Sequence, residues 1–232
     1  MECDCGHEFE PKIEYRHQII CGDCTDAAVV ERVMGGERAG ASVTDSPYGI
    51  NREGIENDDP EGLRALFDGC LAVMPIDDGV VINFQSPRLF PIWLDAVRGR
   101  GHKFERMLWL HKSNDVTNPW RGWMMNGESI LVSSLGDPDW GKSSPVQDCY
   151  IVTHDIKEPI PHTSVKPVEV VENVVMHTAG DVYEPFLGSG TTLIACERLG
   201  RKCRGIEIAP KYIAVTLERW SQMTGQTPVL VD

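Results

Sequence analysis

Short apolar runs at residues 18–21, 41–44, 80–84, 107–110, 130–132, 182–186 and 203–208 recur along the chain, and helix-like segments separate most of them. That alternation is the pattern of βα units, in which short strands are buried on both faces by the helices that connect them. It predicts an α/β fold built on an open, mostly parallel sheet of seven strands with helices on both faces. The expected helices are residues 27–34, 61–73, 90–98, 168–177, 191–199 and 210–223. Pro210 suits a first helical turn, and Ile213, Leu217 and Trp220 fall on one face of the last helix. Residues 114–125 and 135–145 read as loops. A chain of 232 residues is long enough for one such domain and too short for two large ones. Residues 1–16 are expected to form an N-terminal extension to this single domain.

The segment Val182-Tyr-Glu-Pro-Phe-Leu-Gly-Ser-Gly-Thr-Thr192 runs from an expected strand through a glycine turn into an expected helix. Gly188 and Gly190 let the backbone bend sharply and approach a ligand closely, and the helix start offers unpaired N–H groups. Glu207 follows Gly190 by 17 residues, at the end of the next strand. An acid there is placed to grip the two hydroxyls of a nucleoside ribose. There is no G-x-G-x-x-G spacing, because Leu193 stands at the third glycine position, and no G-K-[ST] of a triphosphate loop. A helix–strand junction that merely needs small residues is the plainer alternative.

A second segment, Thr44-Asp-Ser-Pro-Tyr-Gly49, ends the strand at 41–44. Asp45 and a neighbouring backbone carbonyl suit the two protons of an exocyclic amine, Pro47 stiffens the backbone, and Tyr48 offers a ring on which a planar base stacks. The plainer alternative is an Asp-Ser-Pro turn.

Together these segments resemble the β group of DNA amino-methyltransferases, which use S-adenosylmethionine to methylate the exocyclic amine of adenine or cytosine. Asp45-Ser46-Pro47-Tyr48 is similar to the family's catalytic tetrapeptide, and Phe186 to Gly190 to its cofactor loop. His162-Thr-Ser-Val-Lys-Pro167 is similar to the element that runs along the methionine part of the cofactor. His17-Gln-Ile-Ile-Cys-Gly-Asp-Cys-Thr-Asp26 is similar to the segment whose acid lies near the adenine. The tetrapeptide precedes the cofactor loop, which is the circularly permuted order of the β group. Ser46 stands where the family has its first proline, and Glu184 where aspartate is usual.

The resemblance implies a Rossmann-like methyltransferase fold with S-adenosyl-L-methionine as cofactor and DNA as partner. The catalytic residues would be Asp45, Ser46, Pro47 and Tyr48. Asp23, Thr163, Lys166, Glu184, Phe186, Gly188, Gly190, Thr191 and Glu207 would hold the cofactor. An aspartate-led tetrapeptide favours adenine N6 over cytosine N4. Residues 135–161 would form a short target-recognition insertion, so that the target is short or two copies act as a homodimer. The biological setting implied is restriction-modification or phage DNA modification. Two other readings remain: a catalytically silent nucleoside- or DNA-binding module, and methylation of RNA or protein, which the motif order disfavours.

Charge bears on the choice. The 22 Lys/Arg and 35 Asp/Glu give a formal charge of −13, the wrong sign for a phosphate partner. The excess is confined: residues 1–80 carry 18 acids and 6 bases, whereas residues 81–180 carry 11 and 10. Residues 88–112 hold six Lys/Arg against Asp95 and Glu105. Arg88, Lys112, Trp120, Arg121 and Trp123 are the candidate DNA contacts. No apolar run approaches the roughly 18–20 residues that span a bilayer, and the acidic start does not read as a signal peptide, so a cytoplasmic protein is expected. Its cysteines are expected to be reduced. Cys3, Cys5, Cys21 and Cys24 have spacings that suit a tetrahedral zinc, although a metal-free strand end explains them as well. No other metal site is expected.

Overall fold

The computed structural model describes residues 16–48, 60–113, 121, 126–141, 144–152 and 165–231. In chain order these form β1 (His17–Cys21), α1 (Ala27–Met34), β2 (Ala41–Asp45), α2 (Pro60–Ala72), β3 (Gly79–Gln85), α3 (Phe90–Gly99), β4 (Lys103–Lys112) and β5 (Gly127–Leu135). There follow β6 (Cys149–Val152), α4 (Val168–Met176), β7 (Val182–Glu184), α5 (Thr191–Arg198), β8 (Cys203–Glu207) and α6 (Pro210–Thr224).

Local signals set the helix ends. Asp26 caps α1 by accepting a hydrogen bond from the Ala28 N–H at 2.8 Å, and Gly35 closes it in the left-handed conformation at φ 61°. Pro210 opens α6, where its missing N–H costs nothing. All strands join one sheet in the order β1-β8-β7-β2-β3-β5-β4-β6. Where seven strands are expected, the described residues form eight. The additional one, β6, lies within residues 135–161 and pairs in parallel with β4 at the sheet edge. Neighbouring strands are parallel except around β5, which runs antiparallel to both β3 and β4.

Helices cover both faces. On one, Val30 and Val33 of α1, Leu63 and Phe67 of α2 and Trp93 of α3 are buried against the sheet. Phe67 and Trp93 meet edge to face with centroids 5.0 Å apart, a geometry that adds to the area both rings bury. On the other, Val170 and Val174 of α4 and Leu193 and Ile194 of α5 form the second core layer, with Trp220 of α6 packed on it. Each fully buried side chain of this size contributes about 1.5–3 kcal/mol.

One topological feature positions the site. The chain leaves β7 through α5 towards β8 on one side, and leaves β2 through α2 towards β3 on the other. The strand order thus reverses between β7 and β2, which pair in parallel through Ala41↔Val182 and Ser42↔Tyr183. In open α/β sheets, ligands bind outside the carboxyl ends of the strands at such a switch point. Among the described residues, no helix is long and apolar enough to cross a membrane.

Candidate active site

Four acids stand at the carboxyl ends of the parallel strands: Asp23 just beyond β1, Glu207 ending β8, Glu184 ending β7 and Asp45 ending β2. They flank the switch point, and each is held by contacts that its own sequence neighbourhood supplies.

The glycine turn between β7 and α5 is built as the sequence predicts. Gly188 and Gly190 adopt φ 53° and 81°, and a Cβ on Gly190 would stand 2.6 Å from Thr216 Cγ2 of α6. Only glycine fits both the backbone and the space there. Glu207 spans the turn, because its Oε2 accepts from the Gly188 N–H and its Oε1 from the Ala209 N–H, both at 2.8 Å. Asp23 Oδ1 accepts from the backbone N–H and the hydroxyl of Thr25, each at 2.8 Å. Thr191 begins α5 and is buried.

Glu184 lies deeper. Its Oε1 accepts from the Phe186 N–H at 3.0 Å, its Oε2 is 2.8 Å from Thr192 Oγ1, and the residue is only 2% exposed. Burial pushes its carboxyl up to about 8 against the opposing hydrogen bonds. Burial thus favours the protonated acid at neutral pH, while Thr192 Oγ1 donates to its Oε2. The Thr192 hydroxyl in turn reaches the Val43 carbonyl at 3.5 Å. Both Glu184 oxygens are thus engaged within the β7–α5 segment, and both Glu207 oxygens are likewise engaged.

The tetrapeptide leaves the end of β2 beside β3. The Ser46 N–H donates to Asn83 Oδ1 at 3.4 Å, and Asn83 Nδ2 donates to Gln85 Oε1 at 3.1 Å, which braces the segment where the family's first proline is missing. Pro47 is half-buried. Lys166, immediately before α4, donates to Asp45 Oδ2 at 2.6 Å and stands 5.1 Å from the Tyr48 ring centroid. It is also 3.4 Å from Glu128 Oε2, while Lys112 Nζ is 2.7 Å from Glu128 Oε1. Burial raises the proton affinity of Asp45, and Lys166 opposes the shift. Burial works against the Lys166 ammonium, yet the two carboxylates outweigh it and hold its pKa above the ordinary lysine value. Burial also acts against the Glu128 anion, and the two lysines keep its pKa below the usual one. The Tyr48 hydroxyl faces the negative charges of Asp45 and Glu128 but makes no hydrogen bond of good geometry among the described residues. Burial first and those charges second keep it protonated.

The structure thus brings together Asp45, Ser46, Pro47, Tyr48 and Lys166 on one side of the switch point and Glu184, Phe186, Gly188, Gly190, Thr191, Glu207 and Asp23 on the other. Thr163, Trp120 and Trp123 lie outside the described residues. Lys112 is a correction: it is 8% exposed and paired with Glu128, not the exposed cation that a phosphate contact requires. Other bases of the 88–112 stretch are also engaged, Lys103 with Glu105 at 2.9 Å and Arg106 with Asp148 at 3.9 Å. Arg88 is exposed on the turn after β3, and Arg121 is exposed with a left-handed φ of 49°. Of the candidate zinc ligands, Cys3 and Cys5 lie outside the described residues. Cys21 is exposed, with its thiol 3.6 Å from the Ile208 carbonyl, whereas Cys24 is buried in the core beside Cys70. Glu128 is a site residue that the sequence reading misses, as are Asn83, Gln85 and Thr192. The one signal for Glu128 is an acid at the entry to a strand that is otherwise apolar or small.

An open α/β sheet with acids and a glycine turn gathered at its switch point is the class of architecture on which nucleoside-like ligands are bound. The chain belongs to the DNA methylase family, whose profile matches residues 92–218, more than half of its length. Among curated relatives it is 39% identical over 67 residues to the Type II methyltransferase M.SmaI of Serratia marcescens, covering 27% of this chain and 23% of that protein. It is 36% identical over 62 residues to the Type II methyltransferase M.HpaI of Haemophilus parainfluenzae, covering 25% and 20%. The matched segments are therefore about a quarter of those relatives' length or less. Among solved structures, the M1.HpyAVI–SAM complex superposes with a TM-score of 0.66 at 23% identity, covering 88% of this chain and 99% of that one. The cytosine-N4-specific PvuII DNA methyltransferase superposes at 0.69 with 13% identity, covering 89% and 86%. At such identities the likeness is one of fold.

Proposed function

We propose that the protein is an S-adenosylmethionine-dependent DNA methyltransferase that modifies an exocyclic base amine, adenine N6 by preference. The observation that carries this reading is the placement of Asp45 at the end of β2, across the switch point from the Glu184–Gly190 turn that ends the adjacent strand β7. An amine acceptor and a nucleoside cradle on adjacent strands put donor and acceptor of a group transfer side by side.

The residues fit the cofactor. Asp23 and Glu207 supply carboxylates for a nucleoside at the strand ends, and the left-handed backbone of Gly188 and Gly190 carries no side chain between the turn and a ligand beside it. S-adenosylmethionine, when bound, supplies a sulfonium methyl group to a nucleophile. This chain's own residues then have three tasks. Tyr48 stacks on a target base turned out of the duplex, contributing about 1–3 kcal/mol towards its unstacking. Asp45 and a backbone carbonyl of the tetrapeptide accept the amine protons, which favours a pyramidal nitrogen and stabilises the positive charge it acquires. The nitrogen so prepared would accept the methyl group, and Asp45 or water would take the amine proton that leaves.

The preference for adenine rests on the aspartate that leads the tetrapeptide, and cytosine N4 is the alternative product. Labelled methyl transfer to DNA, RNA and protein side by side tests the substrate class, with label expected in DNA alone. Nucleoside mass spectrometry of the product distinguishes N6-methyladenine, the expected result, from N4-methylcytosine. Label in RNA or protein alone, or in nothing, would overturn the proposal.

A further inference from the structure

Asp45, Lys166, Glu128 and Lys112 form a chain of alternating charge, with contacts of 2.6, 3.4 and 2.7 Å in that order. Only its first member reaches solvent to any extent: the side chains are 30%, 3%, 13% and 10% exposed. The far end is rigid, because β4 and β5 pair with Leu110 opposite Glu128 and His111 opposite Gly127. Lys112 engages Glu128 Oε1 and leaves Oε2 turned towards Lys166. Glu128 Oε2 has no well-formed hydrogen bond among the described residues.

This arrangement poses a problem for methyl transfer, on which the inference rests. The acid that must receive the target amine is already gripped by an ammonium, and that positive charge sits beside a nitrogen that itself becomes positive in the reaction. Repulsion between such charges is large at short range in a partly buried site and falls as they separate. Lys166 cannot simply let go, since a buried charge without a partner costs several kcal/mol. It needs a second anion within reach, and Glu128 Oε2 is one.

We propose that Glu128 is a positioning residue, which receives Lys166 as the target amine takes its place on Asp45. Lys112 fixes Glu128 in the orientation that makes the exchange possible. Among the described residues, the charged and titratable groups that bear on Asp45 are Lys166 ahead of α4, Glu128 on β5, Lys112 behind it on β4, Glu184 on β7 and Tyr48 on its own loop. With Glu128 neutralised, Lys166 stays on Asp45. The acid loses a negative neighbour that favours its protonated form and keeps a positive one that opposes it.

The test is Glu128→Gln in the full chain, read by kcat, by cofactor Kd, by the pH profile of kcat and by ¹³C NMR titration of the Asp45 carboxyl. The expected result is a fall in kcat of about tenfold or more with cofactor Kd within about twofold of wild type. The acid limb of the profile and the Asp45 titration both move to lower pH, and Glu128→Asp restores part of kcat. A variant with wild-type kcat and an unmoved Asp45 titration would overturn the proposal. So would a loss of kcat with the pH profile unchanged, which is the mark of a merely structural residue. If the single variant does not fold, Lys112→Gln/Glu128→Gln removes one charge of each sign and is read in the same way. If the wild-type protein transfers no methyl group to DNA, the functional proposal fails instead, and the Asp45 titration alone then decides whether Glu128 governs the Lys166–Asp45 contact.

Discussion

Lys166 Nζ lies 2.6 Å from Asp45 Oδ2, which joins the segment before α4 to the end of β2 across 121 residues of sequence. The resemblance assigns Asp45 to the amine and Lys166 to the cofactor, and the structure makes them direct partners. Asp45→Asn keeps the size of the side chain and an acceptor oxygen while removing the charge that stabilises a developing cation. Methyl transfer is expected to fall by at least about 100-fold, with cofactor affinity near wild type because the Glu207–Gly188 framework is untouched. Label transfer and calorimetric cofactor binding on the same folded sample check this, and equal loss of both would remove Asp45 from the amine.

Gly190→Ala tests the glycine turn between β7 and α5 as the proposed cofactor site. The new methyl group would stand 2.6 Å from Thr216 Cγ2, and the φ of 81° is one that alanine adopts only with strain. Relief requires α6 to move away from the turn, so the variant is expected to lose about 1–3 kcal/mol of stability and to bind cofactor more weakly. Urea denaturation gives the first quantity and calorimetry the second. Wild-type values for both would show that the turn has slack that the packing denies.

Much of this framework is legible in the sequence because it is local. The six expected helices are all present, with ends shifted by no more than one residue. The strand ends that carry Asp45, Glu184 and Glu207 follow from motifs a few residues long. What is not legible depends on pairing across the sheet. The β6 segment Cys149–Val152 is four residues long and lies beyond a Gly/Asp/Ser/Pro-rich stretch, so it becomes a strand only because β4 offers it an edge. β4 itself starts at Lys103, not at the apolar Met107, since Lys103, Glu105 and Arg106 occupy strand positions that an apolar pattern does not mark. β7 stops at Glu184 because Pro185 has no N–H to continue a ladder. Lys112 and Glu128 are separated by 16 residues, and only the antiparallel pairing of β4 with β5 makes them an ion pair. A linear count of charge treats each as exposed.

Glu184 predicts an unusual pH dependence. Its folded pKa of about 8 stands above the ordinary 4.5, so between those values the folded state holds a proton that the unfolded chain releases. The contribution to stability is complete below pH 4.5 and is lost as pH rises towards 8. Glu184→Gln keeps the size of the side chain and an acceptor for the Phe186 N–H, without an ionisation to suppress. In cofactor-free protein the variant is expected to gain stability over wild type as pH rises from 5 to 8, by on the order of a few kcal/mol at the upper end. Calorimetric melting at both pH values checks this, and a difference that does not change with pH would mean that Glu184 ionises normally.

His17 carries the opposite dependence at the other end of the sheet. Its Nδ1 accepts from the Cys203 N–H at 3.1 Å, so the ring's hydrogen is on Nε2, which donates to Glu197 Oε2 at 2.7 Å. Trp220 Nε1 donates to the same oxygen at 3.0 Å, which ties β1, α5 and α6 together through one carboxylate. A second proton on the ring would sit on Nδ1 and face a backbone N–H. Burial lowers the folded pKa of His17 below the ordinary 6.5, although Glu197 partly opposes the shift. Below pH 6.5 the unfolded chain therefore binds a proton that the folded protein resists, and stability is lost as pH falls through that window. His17→Gln, which has no titrating ring, should lose less stability than wild type between pH 7 and 5.5. Urea denaturation at the two pH values measures the difference, and equal losses in the two proteins would show that His17 takes up its proton as readily folded as unfolded.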